Sequence, residues 1–128
     1  MLAAVAGGGV VGAEARYGLA VALPHPPGAW PWATLLANVS GCVLIGVLMV
    51  LVTERYRPHP LVRPLLGVGV LGGYTTFSTY AVDAVTTAGA GRPGLALLHV
   101  AVTPLLALVA AATGSAATRA LVPQRRGR

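Results

Sequence analysis

Lysine is missing from this chain, acidic residues number three, and cysteine occurs once in 128 residues. Charged residues make up 9% and hydrophobic residues 55%, so polar groups are too few to cover a soluble domain of this size. That scarcity excludes a fully water-solvated surface and makes a lipid bilayer the natural solvent. The lone Cys42 excludes an internal disulfide; it lies in an apolar run and is assigned to helix packing. Aromatic residues are only 5%, so the net charge of +6 comes without the stacking rings of a nucleic-acid surface. All nine basic residues are arginine, and they cluster beside apolar runs, as membrane flanks do. His25, His59 and His99 are scattered over two loops and one apolar run, which leaves no metal-ligand set. No nucleophile with a base and an orienter can be named. The composition predicts an integral membrane protein that is not an enzyme and does not bind nucleic acid.

A helix needs about 20 residues to cross about 30 Å of hydrocarbon, and four apolar runs meet that length. They predict an all-α protein of four transmembrane helices in one membrane domain. The first run covers about 2–23 and stops at Pro24-His25-Pro26-Pro27-Gly28, because consecutive prolines cannot continue a helix. Its Ala20-Val21-Ala22 looks like a signal-peptide cleavage site, but no basic stretch follows Met1 and the run contains Glu14 and Arg16, so it is read as a retained span. The second covers about 32–53 and opens at Trp30-Pro31-Trp32, with proline suited to the first turn and tryptophan to the interface. Residues 54–60 form a polar loop. A fourth run at about 94–122 carries Pro104, where a bend is expected, and 124–128 make a solvated arginine anchor.

The third run, about 61–90, is longer than one crossing and is interrupted by Gly72-Gly73-Tyr74-Thr75-Thr76. Two glycines followed by β-branched threonines make a weak helix, so a break near 72–76 is expected, with backbone groups freed near the middle of the membrane. Such a break is tolerated only where it is buried in protein or lines a cavity, and so it points to a site. The residues alone leave open a flexible, tightly packed glycine-rich helix.

An even number of spans puts both termini and the 54–60 loop on one side. Arg55, Arg57, Arg63, Arg119, Arg125, Arg126 and Arg128 lie on that side, whereas Arg92 stands alone on the other and Arg16 lies within the first span. Positively charged flanks stay inside, so both termini are expected in the cytoplasm.

Small residues recur at intervals of four: Gly8 and Gly12, Gly69 and Gly73, and Ala107, Ala111 and Ser115. The interval supports close helix packing in general and no particular dimer. Polar residues within the spans fall on defined faces. Thr34, Asn38 and Cys42 follow one helical stripe, and Thr76, Tyr80 and Asp83 share another, joined by Phe77. Alone, each of these polar groups is as well explained by a bond to a neighbouring helix backbone. Together they make a row of donors without paired carboxylates, which suits passage of an anion better than catalysis. The positive ring edge of Phe77 would favour a small anion without trapping it.

The string Gly72-Gly73-Tyr74-Thr75-Thr76-Phe77-Ser78-Thr79-Tyr80 resembles the third-helix signature Gly-Gly-x-Thr-Thr-Phe-Ser-Thr-Phe of the Fluc (CrcB) family of fluoride channels. Gly8 to Tyr17 and Thr34 to Cys42 are similar to the family's first and second spans, in the same order. The fourth span is similar only in apolar character and small residues, with Thr103 the candidate for the family's polar position. The resemblance implies an antiparallel dimer of four-helix subunits in the plasma membrane, with two narrow pathways for passive export of fluoride. It also implies a sodium ion at the dimer centre, held by the backbone carbonyls of Gly72 and Thr75. Carried over by motif, Asn38 is the pore-lining amide, Phe77 the first aromatic of a phenylalanine box, Ser78 and Thr79 are pathway hydroxyls, and Arg16 sits at a vestibule. Asp83 falls where the family usually has glutamate.

Two features depart from the family pattern. Tyr80 stands where the second box phenylalanine is expected, which puts one pathway in question. The one-sided arginines differ from the balanced charge that a homodimer of oppositely inserted copies should have. They favour a heterodimer with a related subunit of opposite orientation over a homodimer. The rival reading is a small multidrug-resistance-type exchanger that couples protons to cations through Glu14. It leaves the third-helix string unexplained and sets Arg16 close to the acid, where it would favour the charged carboxylate.

Overall fold

The computed structural model describes residues 1–123, and among these the regular structure is entirely helical. The arginine tail expected at 124–128 lies outside the described residues. Helix α1 spans Leu2–Ala22. Helix α2 spans Trp32–Val50 and continues through a π-wound turn, Leu51–Arg55. Helix α3 consists of a π-wound stretch, Arg63–Leu71, that tightens into one α turn, Gly72–Tyr74. Helix α4 spans Ser78–Gly89 and α5 spans Pro93–Leu121, with Pro93 in its first turn. Two helical stretches, Trp32–Arg55 and Pro93–Leu121, are long and apolar enough to cross a membrane. Large apolar side chains such as Val10, Val11, Leu97, Leu105 and Leu108 stand exposed along α1 and α5, a surface that water would penalise and lipid would not.

The small residues turn out to be the contact lines. Helix α1 lies against α3, and α2 against α5. Gly8 of α1 meets Gly69, and Gly12 meets the backbone of Val70 and Tyr74: a Cβ on Gly8 would stand 2.5 Å from the Leu65 carbonyl oxygen, and one on Gly12 would collide with that of Val70. A Cβ on Gly73 would collide in turn with the Gly9 carbonyl. Gly46 and Gly114 act likewise between α2 and α5, where their missing side chains admit the Ala111 and Val43 carbonyls. Ser115 Oγ also donates to the Gly46 carbonyl at 3.3 Å. Such close backbone approach maximises dispersion contact where no hydrophobic effect drives helices together.

The expected break in the third segment falls at Thr75–Phe77, at the far end of the 72–76 window. Gly72 and Gly73 are themselves helical, and the chain turns extended at Thr75, with φ −77° and ψ 156°. The glycines admit α1, while side chains enforce the break. Pro104 is accommodated within α5, which runs on as one helix.

Side chains tie the helix ends into two groups. At one end Glu54 accepts both Nε and Nη2 of Arg119, the closer contact being 2.7 Å, and Arg55 Nη2 donates to the Arg119 carbonyl at 3.1 Å. Arg55 was expected in a solvated flank but is buried, because it caps the last turn of α5. At the other end Arg92 Nη1 donates to the Gly28 carbonyl at 2.9 Å, joining the α1–α2 loop to the α4–α5 turn. Both turns use positive-φ glycines, Gly28 at 85° and Gly91 at 80°. The Glu54–Arg119 pair is largely exposed, so Glu54→Gln is expected to leave the thermal unfolding midpoint in detergent unchanged within error.

Candidate functional site

The break is held open by side chains that take the amides of a continuous helix. In an unbroken helix the Thr76 N–H would bond to the Gly72 carbonyl; instead it donates to Asn38 Oδ1 at 2.7 Å. Asn38 Nδ2 donates back to the Thr76 carbonyl at 2.9 Å, so one buried amide clamps both polar groups of one peptide residue. The Thr79 N–H, which would reach the Thr75 carbonyl, bonds to Thr76 Oγ1 at 3.1 Å. Thr76 thereby satisfies a free amide in the first turn of α4, whose N-cap residue is Phe77. The carbonyls of Gly72 and Thr75 both lose their regular helical donors in this way. The Gly73 carbonyl receives Arg16 Nε at 3.2 Å.

Two cavities flank this junction. One of about 290 Å³ is lined by Arg16, Tyr17, Thr34, Thr76 and Thr79, with Ala13, Ala20 and Ala33. Arg16 Nη1 donates to Thr79 Oγ1 at 3.4 Å there, and a half-buried guanidinium makes this the electropositive side. The second, about 420 Å³, is lined by Asn38, Cys42, Gly72, Thr75, Thr76, Phe77, Tyr80, Thr103, Pro104 and Ala107. The Thr34–Asn38–Cys42 stripe thus faces the broken segment, and Thr76 is a wall common to both cavities.

Phe77 and Tyr80 lie on the second cavity with ring centroids 5.6 Å apart and planes at 48°. Phe77 is 79% exposed, so its ring stands free of the subunit's own core. Ser78 is exposed and its Oγ lies 3.3 Å from Thr76 Oγ1, whereas Thr79 faces Arg16 on the first cavity. Both of these hydroxyls meet Thr76 Oγ1, and Thr79 also accepts from Arg16. Glu14 is exposed and makes no ion pair among the described residues; Arg16 reaches over to α3 and α4, not to Glu14.

Five further contacts were not read from the sequence. Asp83 accepts Thr34 Oγ1 at 2.5 Å, and His25 Nε2 approaches its other oxygen at 3.7 Å. His99, only 1% exposed, pairs Nδ1 with Thr103 Oγ1 at 3.1 Å and sits edge-on to Trp30 with centroids 5.7 Å apart. Tyr80 lies over the same imidazole at 5.0 Å. His25 and Trp30 carried no sequence signal because Asp83 and His99 are distant from them in the chain; His99 stands one helical turn before Thr103, but its ring neighbours Trp30 and Tyr80 come from other elements. Among the described residues, no three of His, Cys, Asp and Glu converge as a metal site. The arrangement offers amide, hydroxyl and guanidinium donors and aromatic edges around two narrow cavities, the equipment for replacing water around a small anion.

A family model described as CrcB-like protein, Camphor Resistance (CrcB), matches residues 3–115. A protein of Thermobifida fusca named fluoride-specific ion channel FluC 2 is 52% identical over 122 residues, covering 95% of this chain and 90% of that protein. Fluoride-specific ion channel FluC 1 of Streptomyces coelicolor is 47% identical over 98% of this chain and 81% of its own length. Fluoride-specific ion channel FluC 2 of Nocardia farcinica is 49% identical over 93% and 85%. With its broken helix, its clamped peptide and these relatives along nearly its whole length, the chain belongs to the CrcB-like family of membrane proteins.

Proposed function

We propose that the chain is the subunit of a fluoride-selective channel that lets fluoride leave the cytoplasm passively across the plasma membrane. The observation that carries the proposal is the Asn38 clamp on Thr76, which keeps a helix open beside a donor-lined cavity and a free phenyl ring. Asn38 has one amide hydrogen beyond the clamp, and the Thr hydroxyls and the Phe77 edge supply further positive contacts. Fluoride is small and strongly hydrated, so it gains more than chloride from many close donors. No step of bond making is involved.

Four crossings fit the tied helix ends: α1, α2, the broken α3–α4 pair and α5 each run from one group of ends to the other. The arginine asymmetry then favours cytoplasmic termini. The exposed Phe77 and the open second cavity suit completion by a second subunit in antiparallel orientation. That subunit is either another copy or, as the charge bias favours, a related chain inserted the opposite way. The carbonyls freed at Gly72 and Thr75 are hard oxygen donors on unwound backbone, the kind that coordinates sodium in membrane proteins, and they fit a sodium ion at the dimer centre. Bound there, sodium would supply fixed positive charge at the break.

Fluoride-electrode recordings of efflux from liposomes test the reading, with the chain alone, with a partner of opposite charge bias, and with chloride replacing fluoride. Fluoride efflux without chloride efflux is expected. Efflux only in the two-chain liposomes supports the heterodimer, and efflux from the chain alone assigns a homodimer. Proton-coupled uptake of organic cations with no fluoride efflux would transfer the function to Glu14.

A further inference from the structure

A proline inside a helix removes one amide donor and pushes its ring against the carbonyl four residues earlier. In α5 that proline is Pro104, and the carbonyl left without its donor is that of Val100. An unpaired carbonyl within a membrane helix must find another donor, since lipid offers none. Tyr80 Oη, reaching across from α4, lies 2.7 Å from the Val100 oxygen, and it is the donor, because a carbonyl can only accept. The tyrosine ring also packs beside His99, at 5.0 Å, and Phe77, at 5.6 Å. Pro104 and Tyr80 also line the same cavity.

We propose that Tyr80 is a positioning residue whose hydroxyl substitutes for the amide missing at Pro104, latching α4 to α5 and fixing the ring edge toward the ion path. The phenolic proton is then engaged with Val100 and is not a donor to the anion. The ring presents its edge as a phenylalanine would, and the fourth helix, not the ion, accounts for the hydroxyl. One consequence runs against simple homology. Phenylalanine, the family's expected residue at this position, is a poor replacement in this chain, because it would leave the Val100 carbonyl bare beside Pro104. Where position 104 donates an amide, the same replacement is harmless.

The proposal rests on the fluoride-channel reading for its transport readout, so the test carries a second readout that does not. Fluoride efflux and the thermal unfolding midpoint in detergent are compared for the unaltered chain, Tyr80→Phe, Pro104→Ala and the double variant, in whichever subunit combination conducts. Tyr80→Phe is expected to slow efflux about three- to fifteen-fold, the range of single hydrogen bonds between membrane helices, and to lower the midpoint. In the Pro104→Ala background the same change is expected to alter efflux by less than about 1.5-fold, with the midpoint unmoved, because the helix supplies its own donor. If Pro104→Ala does not assemble, Tyr80→4-aminophenylalanine replaces it. This change keeps a donor at the ring tip and is expected to restore what Tyr80→Phe loses. Equal losses from Tyr80→Phe in both backgrounds would place the hydroxyl on the ion and overturn the latch, as would a Tyr80→Phe variant unchanged in both readouts. A midpoint that shows the coupling in protein that passes no fluoride keeps the latch and rejects the channel reading instead.

Discussion

Asn38→Ala is expected to reduce fluoride efflux by at least about 100-fold while lowering the thermal midpoint. The side chain satisfies two backbone groups at once, the Thr76 N–H and its carbonyl. Each would be left without a partner, and an unsatisfied buried group costs about 1–3 kcal/mol. The Thr76 amide would then be free to bond to Gly72 again, closing the helix and withdrawing the Gly72 carbonyl from the junction. A barrier raised by about 2.7 kcal/mol already corresponds to 100-fold in rate. Asn38→Asp separates the two halves of the clamp. A carboxylate still accepts from Thr76 N–H but repels its carbonyl and any passing anion, so this variant should hold its fold better than Asn38→Ala and conduct no better. An Asn38→Ala protein with undiminished efflux would show that the break is maintained by something else.

Gly12→Val is expected to abolish the folded protein, or to destabilise it by about 4 kcal/mol or more, the range reserved for severe core disruption. The first atom of any side chain there would collide with the Val70 carbonyl oxygen, and the next obstacle is the Tyr74 amide nitrogen at 2.8 Å. Both are backbone atoms, so no rotamer change relieves the clash; α1 must leave α3. Because Arg16 and the Gly73 carbonyl meet across this same interface, the electropositive cavity would be lost with it. Gly18→Ala is the matched control. An added Cβ there meets nothing within 4 Å, and alanine has the better helix propensity, so the midpoint should hold or rise slightly. Yield from membranes and thermal unfolding in detergent measure both.

Much of this architecture can be read from the sequence because length and polarity are local properties. The helix ends lie close to where proline clusters and arginines put them, α5 at Pro93–Leu121 against an expected 94–122, for example. The stripe of Thr34, Asn38 and Cys42 follows from helical spacing alone, and it does face the third segment. Partners are another matter. That Gly8 packs on Gly69 and Gly9 on Gly73 is invisible in the interval of four, which only says that some backbone comes close. The glycines at 72–73 suggest the break by weak propensity, yet the chain opens three residues later, where Asn38 and Thr76 compete for backbone amides. Arg55 looks like any flanking arginine until the end of α5 is seen beside it. Tyr80 looks like a defect in the phenylalanine pair until Pro104 is placed opposite, because the compensation sits in a helix whose sequence carries little of the family pattern.

Fluoride selectivity is tested most directly by the reversal potential of the reconstituted channel in a planar bilayer, with a tenfold fluoride gradient and chloride equal on both sides. A fluoride-selective channel reverses near the fluoride equilibrium value, about 59 mV for a singly charged ion. A reversal potential near zero, set by the symmetrical chloride, would contradict it.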